Sequence, residues 1–523
     1  MRIKTQFLAI LFFLAFSASF SQTLNGKRTE IEDADEHFGK KNYPMAIPVY
    51  KVELKKDPEN IKIKYKLGIC YLNTRINYSQ SISYLEEYAK DAKAEDEVYF
   101  YLGRAYQLNN KLAEAISSYQ KFKGLRPKRA DEIERYIGQC DNAIKLMRKP
   151  TNVSFQNMGK EINSDEPDYF PFINKNETVL AFTSRRKDNI GGKKIEVDGY
   201  RNCDIYISTS ENGLWTTAKN AGRAINTSLD EQVVGLNSDA TVMYIYLDHI
   251  DKFGDIYVTA RKDLTTDFPK PKIFLPSVND FFETSGCLSE DGNILFFARR
   301  FKQGDQSDLY FCRKLPNGAW AIPQKLPDNI NTPFNEESPY LSYDCQTLYF
   351  ASEGHNSMGG YDLFKSKWDQ NKNTFSNPVN MGYPINSADD DRSICVTEDN
   401  RLAYISAFRP NGFGDLDIYR IRFNEAEQKT KIYKGRMFLG DTIVKNQPKT
   451  YAANIIATNQ VDDMEYTFIP NTKTGKFMMS LPAGIYKISV TSRMYDSFEE
   501  KLIVSDIGET DIEVKKNYFL KIK

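Results

Sequence analysis

Histidine and tryptophan are scarce in this 523-residue sequence, which has three of each, and His37, His249 and His355 stand far apart along the chain. So few histidines leave little material for imidazole metal sites or for triad chemistry. Cysteine is sparse as well: seven residues, an odd number, with no CxxC pair, which suits buried small hydrophobes better than a disulfide framework. Charge of one sign is missing, because 70 basic residues balance 70 acidic ones. That balance excludes the electrostatic footprint of a nucleic-acid binder and a polybasic membrane patch. The GxSxG elbow, HExxH, the P-loop and GxGxxG are all absent. The nearest fragments are TGKF at Thr474, without an upstream phosphate-cradling glycine, and GFGDLD at Gly412, without its third glycine. No cofactor, metal or nucleotide is expected. No run of 18 apolar residues occurs, so no membrane-spanning helix is expected either.

What is present is aromatic and patterned. Tyrosine (32) and phenylalanine (33) suit pleated, half-buried strands, and 41% hydrophobic with 27% charged residues is the composition of folded matter. The first 21 residues carry Arg2 and Lys4, the apolar run from Phe7 to Phe16, then small residues around Ser19 and Ser21. This is the grammar of an export leader, with cleavage expected after Ser21. No cysteine precedes Cys70, so no lipid-acceptor position is expected.

Between residues 30 and 148 one spacing of 34 to 35 residues recurs. Ala34, Gly68 and Gly103 share one position, Ala46, Ser81 and Ala115 a second, and Tyr50, Tyr84 and Tyr119 a third. The GxxY and AxxxY phrases resemble the tetratricopeptide repeat, which implies an all-α solenoid closed by an amphipathic helix over Ala130 to Leu146.

A second repeat fills residues 151–425. An acid and two strand formers recur at Asp204-Ile205-Tyr206, Asp255-Ile256-Tyr257, Asp308-Leu309-Tyr310, Asp362-Leu363-Phe364 and Asp417-Ile418-Tyr419. A turn and an apolar run precede each copy. An aliphatic-Asn pair recurs at Ile162-Asn163, Ile225-Asn226, Val278-Asn279, Ile330-Asn331 and Ile385-Asn386. The first of these pairs precedes the first full unit, so residues near Phe155 to Asn163 are expected to close the fifth blade of a five-bladed β-propeller. The order of elements resembles the TolB-type, WD40-like propeller repeat.

Each unit opens on acids, and Glu166, Glu231, Glu283, Glu337 and Asp390 are the candidate partner-binding residues at an acidic propeller mouth, for a cation or a basic peptide. The same short polar positions also suit turn-capping carboxylates.

Residues 431–523 alternate as strands, and Gly475, Phe477, Leu481 to Gly484 and Tyr486 resemble the carboxypeptidase-regulatory-like, transthyretin-like β-sandwich, with LPAGIY read as a hairpin turn.

Leader, tetratricopeptide solenoid, propeller and sandwich in this order resemble the PorE-type proteins of the Bacteroidota type IX secretion and gliding machinery. The resemblance implies a non-catalytic periplasmic scaffold, peripheral to the outer membrane, with a PorP/SprF-type outer-membrane β-barrel partner and other envelope proteins. The family's OmpA-like domain is not found before Lys523, so direct peptidoglycan anchoring is not expected. The chain is read as no enzyme. Two alternatives stand beside that reading: a TolB-like periplasmic peptide- or ligand-binding propeller, and a carbohydrate-active enzyme, whose carboxylate pair would be recognised only in space.

Overall fold

The structure is a computed structural model. It describes residues 29–74, 78–192, 195–196, 199–211, 213–248, 254–275, 278–279, 281–302, 304–424, 430–439, 453–460, 464–492, 496–504 and 513–521. The expected leader lies outside them. The chain divides into two compact units, one ending at Ile144 and including 193–201, the other holding the remainder.

The helices are α1 (Glu30–Gly39), α2 (Tyr43–Lys56), α3 (Ile61–Asn73), α4 (Tyr78–Tyr88), α5 (Glu97–Leu108), α6 (Leu112–Leu125) and α7 (Ala130–Arg148). Thr29 starts the first with a capping box, its hydroxyl accepting from the Glu32 N–H while the Glu32 carboxylate accepts from the Thr29 N–H. Residues of the 34-residue spacing sit where helices meet. A Cβ on Gly68 would lie 2.7 Å from Leu85, and one on Gly103 would lie 2.4 Å from the ring of Tyr119. Tyr119 is itself fully buried, and its hydroxyl donates to Gln107 Oε1 at 2.8 Å.

The expectation of an all-α tetratricopeptide solenoid heading the chain is corrected here. Among the described residues there are seven α-helices, all before residue 149, and the rest of the regular structure is strands in many small sheets. The close contacts serve local helix pairs, whose apolar residues form two small clusters around Tyr50 and around Leu85 rather than one long core.

Five antiparallel sheets make the propeller. Their innermost strands are Asp168–Ile173, Glu231–Leu236, Phe282–Leu288, Glu336–Leu341 and Ile394–Val396. Four of the sheets run in chain order from inside out. The fifth takes Val153–Asn157 as its outer strand, paired antiparallel with Asp417–Phe423, so the start of the ring is fastened to its end. Closure of this kind leaves no blade edge exposed between first and last strand.

The aliphatic-Asn pairs explain why the blades hold their spacing. Each asparagine lies in the turn after a blade's outer strand, buried at all but the half-buried Asn279, and its carboxamide grips the backbone of one residue on the third strand. Asn226 accepts from Ile205 N–H and donates to Ile205 C=O, both at 2.9 Å. Asn386 does the same to Leu363 at 2.8 and 2.9 Å, Asn279 to Ile256 at 3.1 and 2.9 Å, and Asn163 to Ile418 at 2.8 and 3.0 Å. Asn331 holds Leu309 at 2.7 and 3.0 Å and reaches Leu326 C=O as well, at 3.0 Å. An amide suits the task because it carries donor and acceptor side by side, as the peptide unit does.

The turns between first and second strands repeat with equal regularity. Their third residues, Glu177, Ala240, Gly292, Cys345 and Asn400, all have φ between 51° and 67°. A polar side chain three residues earlier bonds the N–H that reopens the strand, as Ser342 Oγ does for Thr347 N–H at 2.9 Å.

The carboxy-terminal sandwich has two four-stranded sheets around Met437, Ile455, Met479, Tyr486 and Ile488. LPAGIY is not a hairpin. Lys476–Pro482 pairs with Thr430–Leu439 in one sheet, whereas Gly484–Ser492 pairs with Ala453–Asn459 and Phe498–Val504 in the other. The segment is a corner between sheets, pinned by the buried Tyr486 hydroxyl donating to Pro482 C=O at 3.0 Å.

Asn331→Ala removes three hydrogen bonds in one step and leaves the buried Leu309 N–H without its acceptor, while Leu309 C=O keeps the Leu326 N–H. The expected loss is about 3 kcal/mol, roughly the cost of an unsatisfied buried group added to lost bonds. Urea denaturation checks it, and an exposed amide such as Asn371→Ala serves as the silent control.

Candidate functional site

The acids that open each blade are part of the frame. Glu231 is fully buried, with Thr227 donating its N–H at 3.0 Å and its hydroxyl at 2.5 Å. Glu336, one residue before the candidate Glu337, takes the same bonds from Thr332 and a third from Ser352 at 2.6 Å. Glu283 is also fully buried and accepts from Arg299 Nε at 2.6 Å. Glu166 lies beside Lys187, 3.6 Å away. Glu337 and Asp390 are brought together through Arg392, at 3.5 and 3.2 Å, and Glu337 also binds Arg300. Glu166, Glu231 and Glu283 are each engaged within their own blade.

Burial pushes the carboxyls of Glu231, Glu283 and Glu336 up to about 7 against the hydrogen bonds that pull them down. Asp362 is pushed up to about 7 for the same reason.

The acid of the acid-aromatic element has a second structural task. Asp362 accepts from Met358 and Gly359 N–H at 2.9 and 3.2 Å and from Asn380 at 2.7 Å. Asp417 accepts from Phe413 and Gly414 N–H at 2.7 and 3.2 Å and from Asn157 at 2.8 Å, and Asp204 from Ile190 N–H at 2.7 Å and Asn220 at 2.6 Å. Each bond fastens a glycine-bearing loop that leans on the next blade. A Cβ on Gly359 would lie 2.4 Å from Ser387 C=O, and one on Gly414 would lie 2.8 Å from Ser164 C=O.

Asp308 of the third blade departs from these three, while most of the loop before Asp255 of the second blade lies outside the described residues. The third blade's loop has Gly304 with open space around it, and Asp308 keeps 18% of its side chain exposed, held by Lys325 Nζ at 2.8 Å. Where the other loops close the seam, this blade leaves a cleft of about 870 Å³. Gln306, Asp308, Asp328, Phe334, His355 and Asn356 line it. His355 sits at φ 52°, its Nε2 2.9 Å from Ile330 C=O and its ring against Phe364 and Phe350. That desolvation lowers its pKa, so the ring is neutral near pH 7, with Nε2–H donating and Nδ1 left as an acceptor.

None of these cleft residues stood among the sequence candidates. The signal was the missing glycine pair: NIGG, SMGG and NGFG precede Asp204, Asp362 and Asp417, while GDQS precedes Asp308. Among the described residues no group of three or more His, Cys, Asp or Glu side chains is arranged to hold a metal, and six of the seven cysteines are buried as free thiols.

No family model and no curated protein matches the chain. Solved structures do resemble it. A putative TolB from Agrobacterium tumefaciens is 12% identical, with 52% of this chain and 97% of that one covered at a TM-score of 0.28. An endo-arabinase from Bacteroides thetaiotaomicron is 13% identical, covering 51% and 97% at 0.34. A sucrose-6-phosphate hydrolase from Lactobacillus gasseri is 10% identical, covering 73% and 91% at 0.34. The similar structures are mostly glycoside hydrolases. Their names run against the expectations of a non-catalytic scaffold and of a chain without enzymatic activity, which are not carried forward, but at these identities and TM-scores they carry no activity over to this chain. What the propeller does has to come from its own residues.

The raised carboxyls carry a pH dependence of stability. The folded state binds these protons more tightly than the unfolded chain, whose glutamates titrate near 4.3. The stabilisation is therefore complete below about pH 4 and is lost as the pH rises through about 7. Tm is expected to rise on going from about pH 8.5 to about pH 5.5, and Glu336→Gln to flatten the dependence. A Tm that falls over that interval contradicts the assignment.

Proposed function

We propose that this chain is a carbohydrate-active propeller protein of the bacterial cell envelope, and that the cleft beside Asp308 holds the sugar. The observation that carries this reading is the partly exposed Asp308 carboxylate, paired with Lys325. It occupies a position that serves the frame at Asp204, Asp362 and Asp417, and here it faces an open polar cleft. The lining suits a polyhydroxyl ligand. Carboxamides on Gln306, Asn356 and Asn377 offer paired donors and acceptors, so hydroxyls that leave water find partners. Phe334 supplies an apolar surface for the C–H face of a ring. Asp308 and Asp328 are the two carboxylates that glycoside hydrolysis calls for, one as acid and one as base or nucleophile, with their separation setting the stereochemical outcome.

The leader and the order of helices, propeller and sandwich support an exported protein, periplasmic and peripheral to the outer membrane. The PorE-like resemblance adds a PorP/SprF-type barrel and other secretion or gliding components as partners. In-cell crosslinking of a tagged chain, followed by membrane fractionation, tests that placement.

Glycan binding and reducing-end release, measured on a panel of soluble oligosaccharides, test the activity. At least one glycan is expected to bind. Asp308→Asn is expected to weaken that binding or turnover at least about tenfold, the worth of one charge-assisted hydrogen bond of roughly 1.4 kcal/mol. A panel with no binding and no turnover removes the reading.

A further inference from the structure

In three blades an arginine just past or at the end of the second strand ties down the turn by which the chain entered the blade. Arg299 Nη2 donates to Val278 C=O at 2.8 Å, Arg409 Nη2 to Pro384 C=O at 2.5 Å, and Arg186 Nη2 to Ile162 C=O. Each guanidinium carbon lies over an aromatic ring, 5.3 Å from the centre of Tyr310, 4.2 Å from that of Phe155 and 4.5 Å from that of Tyr206. Arg186 and Arg299 also meet the acid that opens their blade, Asp168 at 3.0 Å and Glu283 at 2.6 Å.

The fourth blade makes the same tie with a histidine. His355 Nε2 lies 2.9 Å from Ile330 C=O, and the ring packs 5.1 Å from that of Phe364. The corresponding loop of the second blade, 249–253, lies outside the described residues. A guanidinium is charged at every pH a protein meets. An imidazole is not, and desolvation holds that of His355 below its ordinary value near 6.5.

The charge of the cleft follows from this exchange. His355 shares it with the carboxylates of Asp308 and Asp328 and with the ammonium of Lys325, which is engaged with Asp308 at 2.8 Å. Glu353, on the same loop as His355, accepts from Asn335 Nδ2 at 2.6 Å. Asp362, two residues before Phe364, is fully buried and engaged with Met358, Gly359 and Asn380. With the ring neutral, the described lining of the cleft is net negative. A carboxylate entering it would leave water for surroundings of its own sign.

Resting on the reading of this cleft as a sugar site, we infer that it takes uncharged glycans and excludes uronic-acid glycans at neutral pH, and that His355 in the place of an arginine sets the preference. An uncharged hydroxyl can donate to Asp308, Asp328 or a carboxamide with no charge to desolvate. A uronate needs a cation, and Lys325 already has its partner. As the pH falls, Nδ1 of the ring takes up a proton, the negative charge of the lining is offset, and the exclusion relaxes.

The test uses the full chain and calorimetric titration with two sets of oligosaccharides matched in length, one of neutral hexoses and one of the corresponding uronic acids, at pH 7.5 and pH 5. At the higher pH the neutral oligomer is expected to bind at least about tenfold more tightly, the scale of one unscreened like charge, and the ratio is expected to fall at the lower pH. His355→Arg carries a fixed charge and is expected to shift the ratio toward the uronate at both pH values. Its Tm is expected to stay close to the parent's, because arginine makes this tie in three other blades. His355→Gln keeps a donor for Ile330 C=O and takes up no proton, so its ratio is expected to be the same at both pH values. The inference is overturned, with the sugar reading intact, if the uronate binds as tightly as the neutral oligomer at pH 7.5, or if His355→Gln keeps the parent's change of ratio with pH. Binding of neither oligomer removes the sugar reading and this inference with it.

Discussion

In every blade the carboxamide of one asparagine ties the third strand to the turn that leads into the next blade. The constraint behind it is simple: the chain must leave the outer edge of a sheet and return to the centre of the ring, and the backbone groups along that path are out of reach of water. An amide side chain satisfies a neighbouring N–H and C=O together, at a net worth of about 1 kcal/mol for each bond. Repeated at Asn163, Asn226, Asn279, Asn331 and Asn386, it sets the distance from each blade to the next. The last clamp reaches across the closure, because Asn163 from the start of the propeller holds Ile418 near its end.

A frame clamped five times over tolerates a departure in the third blade. Asp204, Asp362 and Asp417 spend their carboxylates on loop amides. Asp308 has no glycine loop to hold and meets Lys325 instead. The seam between the third and fourth blades opens as a result, while Asn331 keeps the strands beneath it in place. Rigid strands under an open, polar seam are what positions a ligand-binding group without extra scaffolding.

Much of the propeller was legible because its residues recur. The acid-aromatic elements and aliphatic-Asn pairs mark strand and turn, and the offset of Asn163 marks the closure. The helical stretch was over-read: spacing at Ala34, Gly68 and Gly103 reports close helix contacts, which three local pairs satisfy without a long stack. LPAGIY misled because strand alternation continues on both sides of a corner as it does on both sides of a hairpin, and only pairing partners separate them. The surroundings of the candidate acids were not legible for a related reason. Arg299, Arg300 and Arg392, which meet Glu283, Glu337 and Asp390, lie up to 55 residues from the acids they meet. The cleft was hidden because Asp308 wears the same acid-aromatic signature as its structural counterparts, and the lack of a glycine pair before it is shared with Asp255.

The central claim is that the third blade's departure from the repeat creates the binding site. Amide hydrogen exchange, followed by mass spectrometry with and without a saturating mixture of soluble oligosaccharides, tests it whichever sugar the cleft takes. The account predicts added protection confined to peptides covering 304–309, 325–334, 353–358 and 375–380. Protection at the central mouth around Glu337 and Asp390 instead, or none in the propeller, would contradict it.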